Sequence, residues 1–176
     1  MFKKMRGFTL IELLIVIAII GILAALLIPN ALAAIQKAKQ KGTMKDINTI
    51  ATACVDYITD HGLAPDAGSQ NGPMTANFIL ALNGFYIKVV PYTDQWGGSF
   101  QVWCGTINTS YQNVSGTGVD DFVVASQGRN QGFDNIAYLP TTPSTAYFTI
   151  SGMSDFNKDL VNWNGSWVAA PRVGLQ

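Results

Sequence analysis

The 176-residue chain holds a single glutamate, Glu12, among its eleven acidic residues, and a single histidine, His61. Charged residues make up only 12 % of it, and there are two cysteines, Cys54 and Cys104. Each scarcity excludes something. One histidine with no orienting partner in view gives no nucleophile–histidine–carboxylate set. Two cysteines fifty positions apart form neither a CxxC redox pair nor a metal site by themselves. Asp120 and Asp121 are the only adjacent carboxylates; in a strand they point to opposite faces and cannot share acid–base work. No phosphate-binding or dinucleotide glycine fingerprint is present. Few cations remain beyond residue 62, so no nucleic-acid partner is expected. The chain is read as a non-enzyme.

What it does have is a long apolar run. Phe8–Ile28 is 21 residues of almost unbroken hydrophobicity, about 30 Å as a helix and enough to cross a bilayer core. Lys3, Lys4 and Arg6 precede it without an acidic residue among them, which predicts a cytoplasmic N-terminus and an extracytoplasmic remainder. The run exceeds the 7–15 apolar residues of a secretory signal, and Glu12 sits inside it, where a carboxylate is costly and is a functional candidate by default.

The stretch "MFKKMRG" followed by "FTLIELLIVIAIIGILA" and then Pro29 resembles the N-terminus of type IV pilins and of the pseudopilins of type II secretion. The resemblance implies removal of a leader, residues 1–7, by a prepilin peptidase cutting between Gly7 and Phe8. It further implies N-methylation of Phe8 by the same peptidase/N-methyltransferase, and a glutamate at the fifth mature position, here Glu12. Loss of the leader leaves eight basic against eleven acidic residues. Two partners then suit Glu12. In a helical filament it could pair with the Phe8 amine of a neighbouring subunit and set the register of one helix on the next; alternatively it could pair with its own Phe8 amine, four residues back on the same helix face.

After the membrane segment, taken as 8–29, an amphipathic helix is predicted over 30–62. Ile47, Ile50, Ala51, Cys54, Val55 and Ile58 recur at helical spacing, and Gly62 is placed to cap its end. Together the two parts would make one helix from Phe8 to His61, about 80 Å long, kinked or locally melted at Pro29. The remainder, 63–176, reads as a globular head of α+β class. It starts with a loop at Leu63–Pro73 and a short helix near Thr75–Asn83, followed by strands at Ser99–Cys104, Asp121–Ser126, Ala146–Ile150 and Ser166–Ala169. Phe100, Val102 and Cys104 alternate with Gln101 and Trp103, so Cys104 and Cys54 should face one core. Either a disulfide joins them or they are two separately buried thiols, because periodicity sets facing and not distance.

Within the head, "TDQWGGSF" (Thr93–Phe100) resembles the D-x-W-G element of the major pseudopilin of type II secretion. "DDFVVASQGRNQGFDNIAYL" resembles the stretch that follows it, which in that family forms a calcium-binding loop. The candidate ligands here are Ser126, Asn130, Asp134 and Asn135, with calcium as the candidate cofactor. Asp134 is the loop's one carboxylate and Arg129 adds a positive charge, so an ordinary loop held by side-chain hydrogen bonds fits as well. Nothing in Pro140–Gln176 carries a resemblance.

The expected function is a structural subunit of a type IV-like filament, most like the major pseudopilin of type II secretion. It would be held in the inner membrane with its head in the periplasm and polymerise on an inner-membrane assembly platform into a homo-oligomeric helical fibre that drives export. A type IV pilus pilin (adhesion, motility, DNA uptake) is the alternative. A membrane-anchored binding module that never polymerises is the alternative of another class.

Overall fold

A computed structural model describes residues 7–105, 114, 118–134, 136 and 138–172. Its contacts divide the chain into two units, Met1–Gln36 and Lys37–Gln176. Helix α1 spans Leu10–His61. In the first unit its apolar side chains lie open on all sides, with no part of the most hydrophobic 18-residue window buried. A helix apolar all round is stable where lipid or other helices surround it. Pro29 lies inside α1 and does not interrupt it, so the predicted local melting is not seen. The missing proline N–H leaves one carbonyl without its helical donor. The turn around it stays wound, with Asn30 Nδ2 donating to Leu26 O at 3.3 Å.

In the second unit α1 is amphipathic, but the predicted stripe is narrower at its end: Ile58 is half-buried and Val55 is 42% exposed. Gln40, Thr43, Ile47, Ile50, Ala51, Ala53 and Cys54 are buried. Gly62 ends it at φ +72°, its N–H donating to Ile58 O at 2.7 Å, a left-handed cap that glycine adopts without strain. Helix α2, Ala76–Leu82, starts from Thr75, whose hydroxyl accepts the Phe78 N–H.

The sheet has five antiparallel strands in sequence order: β1 Asn71–Pro73, β2 Gln101–Cys104, β3 Phe122–Ser126, β4 Leu160–Trp163 and β5 Ser166–Ala169. Central β3 is buried along its whole length. Phe122 and Val124 join Val102, Cys104, Leu160 and the α1 stripe in one core. Val123 and Ala125 join Val161, Val168, Ala169 and Ile136 in a second core on the other face. A strand covered on both faces reads as a continuous apolar run, which is what "FVVAS" is.

Three expectations change. Ala146–Ile150 is not a strand: Pro143–Ala146 forms a 3-10 turn, and only Phe148 pairs, with Pro171. Proline at the start of that turn sets φ for a helical rather than extended path. The stretch Leu63–Pro73 ends in β1 rather than being loop throughout. Leu160–Trp163 forms β4, a strand not expected, beside the expected β5 at Ser166–Ala169, and the two supply much of the second core.

Candidate functional site

The processing segment is built from backbone outwards. Residues 7–9 are outside any helix and exposed, and nothing lies within 4 Å of a Cβ placed on Gly7. The Gly7–Phe8 bond, where the resemblance implies cleavage, therefore lies ahead of the helix between two exposed residues. One residue later the helix begins from Thr9. The Thr9 N–H donates to Glu12 Oε2 at 2.9 Å and the Thr9 hydroxyl to the same oxygen at 2.7 Å, while the Glu12 N–H donates to the Thr9 hydroxyl at 3.3 Å. This is a capping box. The first N–H groups of a helix have no partner within it, and in hydrocarbon no water replaces one. A carboxylate at this end also meets the positive pole of the helix dipole. Glu12 thus has an intramolecular partner that the sequence reading did not weigh. In the uncleaved chain the Phe8 nitrogen is an amide, so the amine needed for either predicted pairing does not yet exist.

The described candidate calcium ligands are each engaged with protein partners. Ser126 is fully buried; its hydroxyl donates to Asp94 Oδ2 at 2.6 Å and accepts the Gly128 N–H at 3.2 Å. Asn130 is exposed and its Oδ1 accepts the Gly132 N–H at 3.4 Å, an Asx-type turn. Asp134 lines a cavity of about 420 Å³ with Asp159, to which neither Ser126 nor Asn130 contributes. Asn135 lies outside the described residues. Among the described residues no three histidine, cysteine or acidic side chains group as metal ligands would. Ser126 keeps one acceptor lone pair after these two bonds, so calcium stays what the resemblance implies, and no step below runs through it.

The same loop is instead fixed by protein. Asp94 is buried and collects the N–H groups of Trp96 and Gly98 on Oδ1, so the D-x-W-G turn and the end of β3 are joined through one carboxylate. Gly128 sits at φ +65° with Asn157 O only 2.5 Å from where a Cβ would be. Arg129 donates its N–H to Phe156 O at 2.9 Å and its Nε to Asn157 Oδ1 at 3.0 Å. The Asp134 N–H reaches Asp159 Oδ2 at 3.0 Å. The tail segment around 155–159 therefore holds the glycine-rich loop in place. Asp155, which anchors that segment, accepts from Ser151 and Gly152 and pairs with Lys158 at 2.8 Å. The Lys158 contact, then the Ser151 and Gly152 donors, hold its carboxyl well below the usual carboxylate range.

Cys54 and Cys104 are both buried in the same core, as the alternation predicts, but as free thiols rather than a disulfide. Burial pushes both thiols up, and proximity to Cys104 adds to the shift at Cys54. Facing was legible in the periodicity; that the thiols stay unbonded was not. At the end of α1, Tyr86 donates to Asp60 Oδ2 at 2.9 Å while Tyr57 and His61 stack at 4.1 Å. Partial burial, followed by the bond to Asp60, pushes the Tyr86 phenol up to about 12. His61 is thereby absorbed into a packing cluster.

Comparison with known proteins agrees with the N-terminal reading. The family model for the prokaryotic N-terminal methylation motif matches residues 2–28. The chain is 36% identical over 110 residues to the type II secretion system core protein G of Vibrio cholerae, covering 56% of this chain and 73% of that one. To the protein of the same name from Dickeya chrysanthemi it is 27% identical over 171 residues, 92% of this chain and 88% of the relative. It is also 40% identical over 77 residues to the type IV major pilin protein PilA of Myxococcus xanthus, covering 38% of this chain and 35% of that pilin. No solved structure matches the chain.

Proposed function

The chain belongs to the family of the type II secretion system core protein G, and from that premise we propose that it polymerises out of the inner membrane into a pseudopilus that drives protein export. The observation that carries this reading is an apolar helix of bilayer length, open on every side and closed at its N-terminus by its own Thr9–Glu12 cap. Such a surface is satisfied first by lipid and then by copies of itself.

The steps follow from this chain's residues. Lys3, Lys4 and Arg6 hold the leader on the cytoplasmic side, leaving the head in the periplasm. Cleavage after Gly7 turns the Phe8 amide into an amine that carries a proton at neutral pH. Capping engages Oε2 of Glu12 and leaves Oε1, with the carboxylate charge, for the Phe8 amine of the next subunit. A charge pair in hydrocarbon is tolerable only when both members meet, so subunits that are axially misplaced are penalised. Packing of the apolar helices supplies most of the association, and the Glu12–Phe8 pair supplies register.

A strain lacking its own core protein G, supplied with this chain, tests the reading. Fibres and restored export are expected. Fibres formed only with a type IV pilus machinery would move the assignment to the pilus, which the 77-residue match to a pilin supports over a shorter part of the chain.

A further inference from the structure

The part of α1 from Lys37 to Met44 forms one wall of a cavity of about 500 Å³, with Thr149, Ile150, Pro171 and Arg172 also lining it. Lys37 and Lys41 stand one helical turn apart on that wall, and Arg172 approaches from the tail. Met44 and Ile150 add apolar lining, and among the described residues no carboxylate lines the cavity. The opposite wall is fixed by backbone: Phe148 pairs with Pro171, and the Arg172 N–H donates to Phe148 O at 2.7 Å. Gln40, also on the lining, is 2 % exposed, and its Nε2 has no hydrogen-bond partner among the described residues. A buried amide donor left unpaired is expensive, and natural structures rarely keep one without a ligand or water to take it.

We propose that this cavity binds the phosphate of an anionic phospholipid headgroup. The three cations and the Gln40 amide all donate, and a phosphodiester offers only acceptors and one negative charge. Arginine in particular matches phosphate with parallel donors. Met44 and Ile150 suit the glycerol and the first methylenes of a lipid better than they suit a free ion. Position narrows the source further. Lys37 follows Ile28, the last apolar residue of the span, by nine residues. Even fully extended, that is at most about 30 Å of chain from the hydrocarbon, so the cavity is tethered near the headgroup layer. Such a contact would seat the head on the periplasmic leaflet before assembly and would have to be released as the subunit leaves. The proposal rests on membrane anchoring and not on which filament is made.

The test is native mass spectrometry of the full chain released from detergent with equal phosphatidylglycerol and phosphatidylcholine. We expect phosphatidylglycerol to be retained at least about fivefold over phosphatidylcholine, about 1 kcal/mol. Lys41→Gln with Arg172→Gln, both exposed and so expected to leave the fold intact, should bring the two lipids to parity, and Gln40→Leu should reduce the preference. Lys3, Lys4 and Arg6 are present in every variant, so a preference of their making would survive the changes. A preference unchanged in the double variant would overturn the proposal. So would inorganic phosphate binding as tightly as the lipid, because the apolar lining would then add nothing. Loss of fibres in the double variant with lipid retention unchanged would make the face a subunit contact and overturn it too. Carbonate extraction of membranes checks anchoring separately, so failure of the anchor and failure of the lipid site are distinguishable.

Discussion

At the scale of single residues, Glu12 answers two demands. Its Oε2 closes the first turn of its own helix with Thr9, and its charge remains for a partner. Thr9→Val removes both hydroxyl bonds of the cap. The first turn should then fray, with backbone amides at 10–13 exchanging severalfold faster in detergent-held protein, in line with about 1 kcal/mol for a lost cap; unchanged exchange would show the box to be idle. The signal, a threonine three residues before a glutamate, stands in the sequence inside an apolar run whose length masks it. The cysteines taught the converse. Helical and strand periodicity put both in one core, yet facing says nothing about sulfur-to-sulfur distance. Native protein should therefore react slowly with a thiol reagent and reveal two thiols on denaturation; none on denaturation would mean a disulfide. Asp155 gives a pH dependence. Its folded carboxyl is depressed, so its contribution is complete above the unfolded value of about 4. It is lost progressively as pH falls below that toward the lower folded value. Asp155→Asn should flatten the acid limb of a stability–pH curve and leave the neutral-to-alkaline limb in shape.

At the scale of elements, legibility tracked how local the deciding force was. The amphipathic half of α1, its Gly62 cap, the strands at β2 and β3, and β5 at Ser166–Ala169 follow from spacing and composition. The strand expected at Ala146–Ile150 failed because Pro143 starts a turn just before it. Strand β4 was missed although Asn164–Gly165, at φ +48° and +83°, joins it to β5. Asparagine–glycine between apolar runs is among the clearest hairpin signals. Only tertiary packing explains the glycine-rich loop, whose resemblance suggested metal but whose Ser126 is turned to Asp94 and whose Gly128 is pressed on Asn157. Gly128→Ala should destabilise the head by about 2 kcal/mol or more, combining a left-handed backbone with a clash against a carbonyl. Urea melts of the two proteins read this directly. With the loop held by protein, millimolar calcium should leave the wild-type midpoint where chelator leaves it. A rise that Asp134→Ala abolishes would return the metal to the account.

At the scale of the whole molecule, the chain joins a helix made for lipid and for its own copies to a head whose sheet is covered on both faces. The class, α+β with a long N-terminal helix, was legible because apolar length and the processing motif are written contiguously. The second core was not, since Val123 and Ala125 find partners about forty residues away, in a tail without recognisable motifs. The central claim is that the charge of Glu12, beyond its capping oxygen, sets the register of the fibre. Glutamine can replace glutamate in a capping box but cannot neutralise an amine, so Glu12→Gln separates the two roles. The measurement is fibre yield from Glu12→Gln subunits that are verified as membrane-inserted and processed at Gly7–Phe8. The account predicts normal insertion and few or no fibres; fibres at the wild-type level would contradict it.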